Sequence, residues 1–318
     1  MTEPLAHTAF LFPGQGSQAV GMGKAIADLS DPARGLFARA DEVLGFALSR
    51  LCFEGPEDEL RKTENTQPAL YVASCATLES MRERGVGAPE SVTGHSLGEY
   101  SALYAAGVFD FETGLRLVRA RGEAMYAAGQ KRPGGMAAVL GLDGAKVAEI
   151  CRASSDAATL VVAANFNAPD QTVISGDTAA IERATKALQP AGAKRVIPLP
   201  VSGAFHSPLV KPAAESLRQK LSQAVLKNAD GVHFINNADA EILRDARTIG
   251  DSLVRQIVSP VRWVQTLERL GALGTRRYVE VGSGKVLTGL ARRMYRDAEI
   301  LTTESAAAFE ATVAALKT

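Results

Sequence analysis

The pentapeptide Gly94-His95-Ser96-Leu97-Gly98 has the spacing of a nucleophile elbow, G-x-S-x-G. A short β-prone run, Glu90-Ser91-Val92-Thr93, precedes it. A helix-prone run from Glu99 to Ala106, closed by Gly107, follows it. A strand that feeds a helix through so tight a turn needs small residues around the nucleophile, and Gly94 and Gly98 leave that room. Ser96 is then thrown out at the top of a sheet, facing the free N–H groups and positive dipole end of the next helix. That geometry suits attack on an acyl carbonyl. The pattern is short, and the strand–turn–helix context is what raises it above a chance match.

A serine nucleophile needs a base, and the chain holds four histidines: His7, His95, His206 and His233. His95 adjoins the serine inside the elbow, so its side chain points elsewhere. His7 lies in the N-terminal arm and His233 begins a strand. His206 lies in Gly203-Ala204-Phe205-His206-Ser207-Pro208, a loop between a strand and a helix, where α/β proteins place catalytic groups. His206 is therefore the expected base, against the plainer reading of a capping or surface histidine. No acid to orient it stands out. Asp177 reads as a helix cap and Asp170 as a turn residue, so a backbone carbonyl could do that work instead.

The loop Gly14-Gln15-Gly16 offers backbone N–H groups beside a sheet end. One of these, with the N–H of Leu97, would make an oxyanion hole. The run also fits the dinucleotide pattern G-x-G-x-x-G/A. That fold needs a second strand ending in an acid about twenty residues on, and residues 33–44 read as helix. Met22 follows Gly21 where a phosphate-binding P-loop requires lysine. On the helix after Asp110, Leu117, Val118, Arg121 and Met125 share one face. An arginine on an apolar face is costly unless it meets an anion. Two readings stand level: an internal ion pair with a glutamate such as Glu99, or a clamp for a substrate carboxylate.

The elements that must position these groups alternate between strand and helix. Thr8–Phe12 reads as a buried strand. A helix capped by Asp31, with Pro32 at its first position, ends at Gly45. Another runs from Thr66 to Arg84, and a long one from Asp110 to Ala128. Between 131 and 200 the rhythm changes to β-α-β-β-α-β, the ferredoxin-like pattern, with a helix capped by Asp177. The body resumes with a helix from Ser207-Pro208, a strand at His233–Ile235, helices near 248–257 and 260–271, a strand at Arg277–Val281, and a last strand and helix. The expected fold is α/β: a mainly parallel sheet flanked by helices, formed by residues 1–130 and 201–318, with an inserted ferredoxin-like α+β subdomain at 131–200.

Composition excludes several classes. Lys+Arg and Asp+Glu are both 35, so no global basic field points to nucleic acid. Apolar runs fall short of a membrane span. Met1-Thr2-Glu3-Pro4 lacks the basic start of a signal peptide. Cys52, Cys75 and Cys151 are scattered, and this fits a reducing cytoplasm with neither disulfide framework nor metal site; Cys75 reads as core.

Taken together the motifs closely resemble the malonyl-CoA:acyl carrier protein transacylases of fatty-acid synthesis. Matching elements are Phe12-Pro13-Gly14-Gln15-Gly16-Ser17-Gln18, Asn65-Thr66-Gln67-Pro68-Ala69, Gly94–Tyr100, Arg121-Gly122, Asn165–Pro169, Gly203–Pro208, Gln256–Trp263 and Glu280-Val281-Gly282, in the family's order. The resemblance implies a hydrolase-like α/β body with a ferredoxin-like insert. It implies Ser96 as nucleophile, His206 as base and acid, and Gln15 and Leu97 as oxyanion-hole donors. Arg121 is implied on the malonyl carboxylate, the Gln256 carbonyl as the orienter of His206, and Asn167 near the substrate. Phe205 beside His206 is expected to limit acyl size. The implied substrate is a coenzyme A thioester, malonyl-CoA, with no permanently bound cofactor, and the implied partner is acyl carrier protein, with neither nucleic acid nor membrane and a monomeric enzyme. The rival readings are a serine hydrolase or thioesterase, which leaves Arg121 unexplained, and a trans-acting acyltransferase of a polyketide synthase. An acidic carrier would dock on a basic rim, for which Lys194-Arg195, Arg276-Arg277 and Arg292-Arg293 are candidates.

Overall fold

β1 (Leu5–Phe12) carries the apolar run Ala9-Phe10-Leu11-Phe12, and the structure buries both of its faces. Phe10 and Phe12 enter one hydrophobic cluster, while Ala9 and Leu11 enter another on the opposite side. A strand sealed on both faces belongs inside a parallel sheet covered by two helical layers. The structure is a computed structural model that describes residues 5–201 and 203–317; the opening Met1–Pro4 lies outside the described residues.

After β1 come α1 (Lys24–Leu29), α2 (Asp31–Leu44), α3 (Leu48–Glu54), α4 (Glu57–Arg61) and α5 (Thr63–Glu83). β2 (Pro89–Gly94), α6 (Gly98–Ala105) and α7 (Phe111–Lys131) follow. Next are β3 (Gly135–Leu140), α8 (Gly144–Ala153), β4 (Val161–Ala168), β5 (Gln171–Gly176), α9 (Thr178–Leu188) and β6 (Arg195–Pro198). The chain then forms α10 (Lys211–Leu221), β7 (His233–Ile235), β8 (Ile242–Leu243), α11 (Ala246–Val258) and α12 (Trp263–Ala272). It ends with β9 (Arg277–Glu280), α13 (Val286–Met294), β10 (Glu299–Thr302) and α14 (Ala306–Leu316).

The strands form two sheets. One has the order β10-β9-β1-β2-β7-β8 and is parallel except where β8 turns back on β7. The other, β4-β5-β3-β6, is wholly antiparallel and has ferredoxin-like connectivity. An isolated bridge from Asn165 to Val261 ties the two regions. Among the described residues no helix is long and apolar enough to cross a membrane.

Several local expectations need correction. Ser30, not Asp31, caps α2: its Oγ accepts the Ala33 N–H at 3.3 Å, and Asp31 falls in the first turn. Asp177 stands at the N-cap position of α9 without capping it. Its carboxylate is taken by Arg132 at 3.1 Å and by the Leu160 N–H at 2.8 Å. α5 starts at Thr63 rather than Thr66, so Pro68 lies within it. Proline cannot donate to the carbonyl four residues back, and Arg119 Nη1 fills that vacancy by donating to the Glu64 carbonyl at 2.9 Å. The residues where a dinucleotide fold needs its second strand are instead α2, which removes that reading.

Candidate active site

Ser96 lies in the turn between β2 and α6 with φ of 52°, in the left-handed region that side chains avoid. Close backbone approaches enforce the turn. A Cβ on Gly98 would strike the Phe12 carbonyl oxygen, and one on Gly94 would strike the Gly98 backbone. A Cβ on Gly14 would strike the His95 carbonyl, so the loop after β1 presses on the elbow. Since these obstacles are backbone, Gly98→Ala is expected to cost about 2–3 kcal/mol of stability, read as a lower denaturant midpoint with unchanged slope.

Ser96 Oγ stands 2.7 Å from His206 Nε2. His206 is also in the left-handed region, with φ of 55°. It precedes a 3₁₀ turn at Pro208–Val210, whose N-cap is Ser207. Its Nδ1 lies 2.9 Å from the Gln256 carbonyl and 3.2 Å from the Ser259 carbonyl. Carbonyls only accept, so Nδ1 carries the proton and Nε2 is left to accept from the serine hydroxyl. Burial above all, then the nearby Arg121 cation, pushes the imidazole down to about 3. The resting base is neutral. Asp170 and Asp177 are engaged elsewhere, with Arg293 and Arg132.

The Ser96 N–H donates to Asn237 Oδ1 at 2.7 Å. Among the described residues, neither the Leu97 N–H nor the Gln15 N–H donates a hydrogen bond. Gln15 also reaches Thr63 Oγ1 with its side-chain amide at 3.3 Å. Two uncommitted donors thus sit on the two segments that meet at the elbow, as an oxyanion hole requires.

Arg121 is 1% exposed. Its Nη1 donates to Gln67 Oε1 at 2.8 Å. Its Nη2 donates to Gln256 Oε1 at 2.9 Å and to Ser96 Oγ at 3.0 Å. Its Nε has no partner, and its guanidinium lies 5.7 Å from the Tyr100 ring centre. No carboxylate among the described residues lies within ion-pair distance of it. Glu99, the internal partner weighed above, instead accepts the Asn237 backbone N–H, and burial pushes its carboxyl up to about 8. The guanidinium therefore reaches the nucleophile through Nη2 and keeps one donor, Nε, empty.

Asn167 meets the elbow indirectly: its Oδ1 lies 2.8 Å from His95 Nε2, and the His95 ring tilts against Trp263. Phe205 is buried in the larger core cluster, its ring close to Gly203. Sequence reasoning gave no role to Gln67 or to the Gln256 side chain, which hold Arg121, and missed Asn237 altogether. The signal for Gln67 was available, since it sits on the buried face of a long helix. Nothing local marks Asn237, whose partners are 141 and 143 residues away. The three cysteines are buried, and burial pushes Cys52 and Cys151 up to about 12, so no thiol competes with Ser96 as nucleophile.

The sequence profile of the acyl transferase domain matches residues 9–314. The chain is 42% identical over 313 residues to a malonyl CoA-acyl carrier protein transacylase of Bacillus subtilis, covering 98% of each protein. It is 45% identical over 290 residues to the protein of that name in Escherichia coli K12, covering 91% of this chain and 93% of the other. Among solved structures, it superposes with a TM-score of 0.93 and 40% identity on a chain from a type II PKS acyl-carrier protein in complex with its malonyl-transacylase, covering 97% of this chain and 99% of that one. The chain belongs to the acyl transferase domain family, among its malonyl-CoA:acyl carrier protein transacylases.

Proposed function

We propose that the protein moves a malonyl group from coenzyme A to the phosphopantetheine thiol of an acyl carrier protein through a malonyl ester on Ser96. The observation that carries this reading is the buried Arg121, with no carboxylate partner, an empty Nε–H, and Nη2 donating to the nucleophile. A malonyl group bound to Ser96 would bring its free carboxylate to that fork.

In the first half-reaction His206 Nε2 takes the Oγ proton as Oγ attacks the thioester carbonyl. The Leu97 and Gln15 N–H groups receive the developing oxyanion. The C–S bond breaks, and His206 returns its proton to the departing sulfur. In the second, the carrier thiol gives its proton to His206 and attacks the ester, and Ser96 leaves with that proton. Arg121 keeps the carboxylate throughout. We propose a monomeric unit, for which the nucleophile, base and clamp of one chain would be a complete site. Three buried free cysteines suit a reducing cytoplasm.

For the carrier, Lys194 and Arg195 are both exposed without an acidic partner among the described residues, whereas each of the other two pairs has one member engaged, Arg277 with Glu299 and Arg293 with Asp170. We take Lys194-Arg195, at the start of β6, as the docking candidate. A fatty-acid carrier and a polyketide carrier are both compatible with it.

The test is an incubation with malonyl-CoA alone, followed by intact mass. A stable malonyl adduct, absent from Ser96→Ala, is expected. Continuous release of coenzyme A and malonate without an adduct would replace this reading with a hydrolase.

A further inference from the structure

The short strand β7 pairs with β2 only through Ser91–His233 and Val92–Phe234, after which the two chains part. Thr93 Oγ1 still reaches the Ile235 carbonyl at 2.8 Å. Beyond that, β2 stays paired with β1 through Phe12–Gly94, and the His95 N–H donates to the Phe12 carbonyl at 3.0 Å, but the ladder to β7 goes no further. Asn237, fully buried, stands where the next peptide of the ladder would be. Its side-chain amide donates to the Gly94 carbonyl at 2.8 Å and accepts from the Ser96 N–H at 2.7 Å. A primary amide has the donor and acceptor of a peptide in one plane, so it can substitute for a missing ladder rung.

Asn237 is itself fixed. Its backbone N–H is held by Glu99 Oε1, and its carbonyl accepts from the Arg262 N–H at 3.0 Å. On the far side of the nucleophile, Gln256 Nε2 donates to the Ser96 carbonyl at 2.8 Å. Both peptide groups of a residue at φ 52° are thus pinned by side chains from outside the elbow. Without such pins, that conformation costs about 1–3 kcal/mol and relaxes.

We infer that Asn237 is a positioning residue for the nucleophile: its amide holds Ser96 in the strained conformation that puts Oγ on His206 Nε2, and by consuming the Ser96 N–H it leaves the Leu97 N–H as the elbow's oxyanion donor. The inference rests on Ser96 acting as nucleophile. It assigns Asn237 no contact with substrate, because its polar groups are fully committed within the protein.

The expected consequence is a split between rate and binding. Arg121 keeps its acceptors on Gln67 and on Gln256 Oε1 without the Asn237 amide, whose one link to that set is a long contact of 3.5 Å from Gln256 Nε2 to Asn237 Oδ1. In Asn237→Ala the first-order rate of malonyl-Ser96 formation is expected to fall about 100-fold, the scale of a nucleophile displaced by about 1 Å. KM for malonyl-CoA should stay within about twofold, and the final adduct should still reach one malonyl per chain. Asn237→Ser retains one hydrogen-bonding group without the reach to span both partners, and should fall between; it also serves if the alanine variant does not fold. Rapid quench with intact mass gives the rate and the stoichiometry separately.

A merely structural role would lower the stoichiometry and leave the rate of the surviving fraction unchanged. That outcome, or wild-type acylation rates in either variant, overturns the inference. A small fluorophosphonate provides a second reading of Ser96 reactivity that is independent of the acyl donor. If wild type reacts with it but forms no malonyl adduct, the proposed substrate fails, while the ratio of phosphonylation rates between variant and wild type still decides the role of Asn237.

Discussion

Replacing His206 by alanine is expected to lower the rate of malonyl-Ser96 formation by about 10⁴-fold, at the upper end of what a positioned base contributes. The serine hydroxyl has one acceptor for its proton, His206 Nε2 at 2.7 Å, and its other polar neighbour, Arg121, can only donate. His95 cannot stand in, since its Nε2 is occupied by Asn167. The binding groups for the acyl donor remain in place, so KM should change little; stopped-flow detection of released coenzyme A separates the two. A companion expectation concerns pH. With the imidazole pushed down to about 3, the base stays neutral far below the ordinary histidine value of 6.5. The acylation rate of the wild-type protein should therefore show no loss near pH 6.5, and should decline only as pH falls towards 3. A limb centred near 6.5 would mean that His206 is solvated in the working enzyme. The same shift works against stability. Between 6.5 and about 3 the unfolded histidine binds a proton that the folded one refuses, so stability falls as pH drops through that window.

The second large effect is on selectivity. Arg121→Ala is expected to lower kcat/KM for malonyl-CoA by about 10³-fold, because a sequestered carboxylate that loses its cationic partner costs about 3–5 kcal/mol. Acetyl-CoA has no carboxylate to lose, so its turnover should be unchanged or improved. The malonyl-to-acetyl ratio is the informative measurement, taken alongside a denaturation curve, since Gln67 and Gln256 lose a donor in this variant. Arg121→Lys should recover little: one ammonium cannot present the Nε and Nη2 donors together. An equal loss for both substrates would assign Arg121 to holding Ser96 rather than to reading the acyl group.

What the sequence could disclose depended on how local the cause was. The elbow was legible because the demand for small residues falls on Gly94 and Gly98, within two positions of Ser96. Arg121 was legible as an anomaly, because helical spacing placed a cation on an apolar stripe. Its surroundings were not, since Gln67 and Gln256 are 54 and 135 residues away. The two cap errors share a physical origin. Asp31 and Asp177 both have the right chemistry, but Ser30 is one residue better placed and Arg132 competes for Asp177. The missed helices α1, α3 and α4 have 6, 7 and 5 residues, too short for hydrophobic periodicity to register.

The hydrogen bonds from His206 Nδ1 end on two neutral dipoles, the carbonyls of Gln256 and Ser259, rather than on a carboxylate. An imidazolium formed there has no counter-ion behind it and a cation, Arg121, in front. Taking up a proton is correspondingly unfavourable, and acceptors differ in how far they need that uptake. Water, with a pKa near 15.7, must surrender its proton to become nucleophilic. A thiol, with a pKa of about 8.5 in the cysteine case, needs far less assistance. The absent carboxylate thus acts as a kinetic filter: solvent that reaches the ester finds a reluctant base, while an arriving thiol yields its proton to that base far more readily.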